Sequence, residues 1–109
     1  MDIDDFTRNL CEKIYNIMAN KYPNCRVRTL RIPTRQNRAG FVTSVVFCKD
    51  TQNSDPNAKC YGTLVDNLFI MAVEGFPIEE MVINMVFQFE DMVINEENYE
   101  DLDYQKVNN

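Results

Sequence analysis

Acid–base chemistry at neutral pH falls most often to histidine, and this chain of 109 residues has none. Its other reactive groups are four cysteines, Cys11, Cys25, Cys48 and Cys60, and seventeen carboxylates. A cysteine nucleophile would lack its usual imidazole base, and the four are not spaced in the close pairs of a zinc site. With no secretion signal in the sequence, reduced and buried thiols are the expectation for all four. The neighbouring carboxylates Glu79/Glu80 and Glu90/Asp91 point in different directions on a helix, so neither makes an acid–base pair. Glu96, Glu97, Glu100, Asp101 and Asp103 gather negative charge without the spacing of a calcium loop. Three glycines, at positions 40, 62 and 75, cannot build a phosphate-cradling loop. These residues predict no catalytic group, no metal site and no cofactor, and therefore a protein that is not an enzyme.

What the side chains can do is carry charge. The net charge is −6, but its distribution is uneven. Residues 13–49 hold Lys13, Lys21, Arg26, Arg28, Arg31, Arg35, Arg38 and Lys49 with no acid among them. Residues 60–109 hold eleven acids against Lys106 alone. Arginine forks suit phosphates or carboxylates, so Arg26, Arg28, Arg31, Arg35 and Arg38 form a candidate basic contact. Glu90, Asp91, Glu96, Glu97, Glu100, Asp101 and Asp103 form a candidate acidic one, with Tyr99, Leu102 and Tyr104 available as apolar anchors. The plainer expectation is that the two halves neutralise each other inside one fold, and that the acidic end is a solvated tail.

The elements that position these charges follow from periodicity and punctuation. Ile3, Phe6, Leu10, Ile14, Ile17 and Met18 have helical spacing behind Asp2, Asp4 and Asp5, which suit a helix N-terminus, and Pro23 stops the pattern. A first helix is predicted over about 3–21. CRVRTLRI (25–32) and FVTSVVFC (41–48) read as an antiparallel hairpin, with Arg35 and Arg38 at its tip. An isolated ribbon is marginal, so helices must cover one face and a third strand or a second subunit has room to extend the sheet. Residues 49–59 read as a loop. A short helix is predicted over about 63–74, with Tyr61–Val65 as an alternative edge strand, and Gly75-Phe76-Pro77 makes a corner into a second helix.

That second helix, expected over about 77–94, is the most apolar stretch of the chain. Its polar positions Glu80, Asn84, Gln88, Asp91 and Asn95 make only a narrow stripe. It is either wrapped by its own domain or lends a side to a partner. Met81, Met85, Phe89 and Met92 are candidates for a homodimer seam. The predicted architecture is α+β: one domain over 1–95, made of an N-terminal helix, a hairpin and two helices, followed by an acidic tail over 96–109. No run is long and apolar enough to predict a membrane span, and no export leader is recognisable, so the expected location is the cytoplasm.

The order of helix, arginine-bearing hairpin and LFIMAVEGFPIEEMVINMV resembles an uncharacterised domain-of-unknown-function family found in gut Clostridia, over residues 1–90 with EG-x-PIEEMV as its best segment. That family implies no activity. In type, a short acidic chain without an active site is similar to the anti-CRISPR inhibitors of phages and mobile elements. The expected function is then a protein-binding inhibitor that blocks a nucleic-acid-handling enzyme, its partner a CRISPR effector nuclease or that nuclease's guide-RNA complex, by charge mimicry or occlusion. The competing expectations are a nucleic-acid-binding module working through the arginine hairpin, and an oligomeric scaffold.

Overall fold

The structure is a computed structural model that describes residues 2–50 and 60–108, with side chains through Asn95. Helix α1 (Ile3–Lys21) starts where the Asp2 carboxylate accepts a hydrogen bond from the Asp5 backbone N–H at 2.8 Å. Four-residue steps put Phe6, Leu10, Ile14 and Met18 on one buried stripe. The helix ends at Tyr22, whose N–H donates to Met18 O, just before Pro23.

Strands β1 (Arg26–Pro33) and β2 (Phe41–Cys48) pair antiparallel, from Arg26 opposite Cys48 to Pro33 opposite Phe41. The turn between them is fixed locally. Gly40, at φ +80°, donates its N–H to Asn37 Oδ1 at 2.9 Å and accepts from the Thr34 N–H. Strand β3 (Cys60–Leu64) then adds to the far side of β2, giving the order β1-β2-β3. The edge-strand alternative for 61–65 is therefore the one adopted, and the helix that follows is shortened to α2 (Asp66–Val73). Its first residue ties it to the sheet, because Asp66 Oδ2 accepts from the Thr43 N–H at 3.1 Å. Gly75, at φ +100°, closes α2, and after Pro77 the chain enters α3 (Ile78–Asn108).

The architecture is thus α+β: a helix, a three-stranded antiparallel sheet and two further helices. A single core joins α1 and α3 to the inner face of the sheet, with Leu68, Phe69 and Ala72 of α2 packed against it. Phe47 sits at its centre. Its ring lies 5.7 Å from Tyr22, 5.7 Å from Phe89 and 6.5 Å from Tyr61.

Three expectations are corrected. First, Met81, Met85 and Phe89 do not form a dimer seam. With Val93 they make the buried stripe of α3, and Met92 packs against the same core. The side that α3 leaves uncovered carries Ile83, Phe87 and Ile94 among its polar residues, with Phe87 66% exposed. Second, α3 does not stop near Ile94 but runs on to Asn108, so the segment expected as an acidic tail has a helical backbone. Third, the cysteines are not all thiols. Cys48 and Cys60 face each other across β2 and β3 and are joined as a disulfide, with Cα atoms 4.4 Å apart. Cys11 and Cys25 are free and buried. The loop expected over 49–59 lies outside the described residues at 51–59.

Candidate charged interface

Residues along β1 alternate between the two faces of the sheet. Val27 joins the inner core, and Arg31, on the same side, turns its guanidinium to Asp4 of α1 at 3.1 and 3.3 Å and stacks 4.6 Å over the Phe41 ring. Arg26 and Arg28 occupy the outer-face positions. Arg35 and Arg38 are exposed in the turn between the strands. Among the described residues the side chains of these four have no hydrogen bond or ion pair, so Arg31 alone of the five has found an acid. That acid belongs to α1 and not to the acidic half of the chain. Among the described residues, the candidate arginines make no ion pair with the acidic half.

One contact does link the halves: Lys21 at the end of α1 lies 3.6 Å from Glu90 of α3. Both groups are partly exposed, so the pair contributes only about 0–1 kcal/mol. Asp91, one residue on, is exposed with no partner among the described residues. The backbone of Glu96, Glu97, Glu100, Asp101 and Asp103 belongs to α3, while their side chains lie outside the described residues. The two candidate sets are therefore held by different elements. The free arginines lie on the outer face of the sheet and its turn; the acids lie on α3, which packs on the inner face.

The groups that could do covalent chemistry are placed where they cannot. Burial pushes the Cys11 thiol up to about 11, and burial also raises Cys25, against a smaller opposing backbone hydrogen bond. Both are neutral at pH 7 and shielded from solvent. A cleft of about 480 Å³ between α1 and β1 is lined by Asp4, Thr7, Cys11, Arg28, Arg31 and Thr43 among others, which offer hydroxyls, one ion pair, a second arginine and that protonated thiol. Thr43 Oγ1 is buried there with no hydrogen-bond partner among the described residues. Among the described residues, no cluster of three acids or cysteines is placed to hold a metal ion, and no helix is long and apolar enough to cross a membrane.

Sequence reasoning missed the aliphatic part of the outer face. Leu30 and Ile32 of β1 and Leu64 of β3 stand beside the arginines, 42, 43 and 56% exposed. The alternation in CRVRTLRI carried the signal: residues 26, 28, 30 and 32 share a face, basic at one end and apolar at the other. No family model, curated protein or solved structure matches this chain.

Proposed function

We propose that the protein is a non-enzymatic binding protein that inhibits a nucleic-acid-handling enzyme, with a CRISPR effector nuclease, alone or with its guide RNA, as the target class. The observation that carries this reading is charge segregation in the fold: Arg26 and Arg28 on the outer face of the sheet and Arg35 and Arg38 in its turn, without acid partners among the described residues, and carboxylates concentrated along α3, which packs on the inner face. An enzyme that grips nucleic acid offers a strongly positive cleft, and an acidic helix is steered into it quickly and in a salt-dependent way. The carboxylates from Glu90 onward would lie where phosphates otherwise lie, and Tyr99, Leu102 and Tyr104 are the residue types that supply desolvated anchors. Replacing Glu96, Glu97, Glu100, Asp101 and Asp103 together by their amides removes that mimicry. Inhibition of a purified effector nuclease is expected to fall at least tenfold, and to weaken for the parent protein as salt rises. Unchanged inhibition by the variant would remove the mechanism.

That Arg26, Arg28, Arg35 and Arg38 have no side-chain partner among the described residues favours a second reading, direct binding of nucleic acid. A gel shift at low salt that disappears on Arg35→Ala/Arg38→Ala would select it. The overall charge of −6 works against it, since the molecule as a whole repels phosphate.

A further inference from the structure

The helices and core lie against one face of the sheet, and the register lays out the other face in cross-strand rows. Arg26 stands beside Cys48 and Cys60, Arg28 beside Val46 and Gly62, Leu30 beside Ser44 and Leu64, and Ile32 beside Val42. The middle is low. Ser44 and Val46 are short and nearly buried, and at Gly62 even a Cβ would come 3.3 Å from Ser44 Oγ. Leu30 and Leu64 rise on either side, so the face is a shallow trough, aliphatic at the hairpin end and cationic at the other. Arg35 and Arg38, exposed in the turn, lie beyond the aliphatic end, so the apolar stretch is flanked by positive charge on both sides.

A nucleic-acid backbone would satisfy the arginines and leave Leu30, Ile32 and Leu64 in water. An acidic segment interleaved with apolar side chains satisfies both. The chain contains such a segment: residues 96–108 carry five carboxylates against Lys106, with Tyr99, Leu102 and Tyr104 among them. As the end of α3 it is about 20 Å long at 1.5 Å per residue, and an eight-residue strand spans about 26 Å, so trough and helix are commensurate. Its own trough is out of reach. Met81, Met85, Phe89 and Val93 hold α3 to the inner side of the sheet, and the helix continues unbroken from there.

We propose that the outer face of the sheet receives the acidic end of α3 from a second copy of this chain, reciprocally, in a two-fold dimer. The contact is isologous: each copy gives one acidic helix and one trough. Because the same acids are those assigned to target mimicry, self-association and target binding exclude each other. Self-association itself does not depend on that reading and is measured with no target present.

Sedimentation velocity of the purified chain tests it. A dimer is expected at low ionic strength, dissociating in about 1 M salt, where the Debye length shrinks to about 3 Å. Arg26→Glu/Arg28→Glu and Glu96→Lys/Glu97→Lys/Glu100→Lys are each expected to be monomeric with unchanged helical circular dichroism. An equimolar mixture of the two restores both reciprocal contacts and is expected to give a dimer. Leu30→Asp, at an exposed aliphatic position, should also yield monomer. A parent protein that stays monomeric at low salt would overturn the proposal. So would a dimer that survives either charge reversal, or a mixture of folded variants that remains monomeric.

Discussion

The inner and outer faces of the sheet are made by alternate residues of the same three strands, and they have opposite physical characters. On the inner face Val45 and Phe47 are fully buried in a core shared with α1 and α3, and the inner-facing arginine, Arg31, has an acid and an aromatic ring. On the outer face Leu30, Ile32 and Leu64 stand largely exposed, and Arg26 and Arg28 have no counterion among the described residues. Burial of apolar area is the main favourable term in folding, so the inner face carries most of the stability. The exposed side chains of the outer face, Leu30, Ile32, Leu64, Arg26 and Arg28, contribute little to folding and can change without unfolding the domain. Burial and exposure are thus separated by nothing more than the two-residue period of a strand.

The contrast is broken most directly by truncating one side chain on each face. Phe47→Ala removes the ring that three other aromatics touch and is expected to cost about 3–5 kcal/mol in denaturant unfolding, enough to unfold a marginal domain. Leu30→Ala should cost under about 1 kcal/mol in the same measurement. Equal losses from the two would show that the outer face is also structural.

The disulfide gives a smaller effect that sharpens the same contrast, because Cys48 and Cys60 belong to the outer-face row while β2 anchors the core. Closing a loop of this length, with a sequence separation of 12, stabilises by about 3 kcal/mol in the chain-entropy model. Reduction is expected to lower the unfolding midpoint accordingly. Thiol titration of denatured, unreduced protein should count two thiols, Cys11 and Cys25, and four would deny the bond.

The smallest effect tests the inner side alone. The Cys11 thiol is held up from its ordinary value of 9.0 to about 11 by burial. Below pH 9 folded and unfolded chains both keep the proton and stability is full. Between pH 9 and 11 the unfolded chain ionises while the buried thiol does not, so stability falls as pH rises through that window. Cys25 shifts in the same direction and adds to the loss. Cys11→Ala should remove most of this alkaline sensitivity, read as denaturation midpoints at pH 8 and about pH 11.

What could be read from the sequence was what local pattern controls. The stripe of Phe6, Leu10, Ile14 and Met18 with its aspartate cap announced α1, and the β-branched run at 41–48 announced β2 to the residue. Gly75-Phe76-Pro77 announced the corner. What escaped were features set by distant partners. Whether 61–64 becomes strand or helix depends on β2 offering its free edge, and the Cys48–Cys60 bond depends on that same register. The apolar surplus of α3 fitted both core and seam until the sheet fixed which side faced inward. The length of α3 was open to a different oversight. After Pro77 the chain contains neither glycine nor proline, and Glu, Leu, Gln and Lys are good helix formers, so nothing in 95–108 terminates the helix despite its charge. The arginines of the candidate interface were read from composition; that Arg31 alone of them pairs with an acid among the described residues required Asp4 to arrive beside it.

The bond between Cys48 and Cys60 also changes the covalent topology of the molecule. It turns the chain between those residues into a ring attached to the sheet at both ends. A single peptide-bond cut within that ring leaves the two fragments, 48 residues and more on either side, tied through sulfur and still paired as β2 and β3. A cut between those two cysteines therefore leaves the molecule in one covalent piece, whereas a cut outside them releases a fragment.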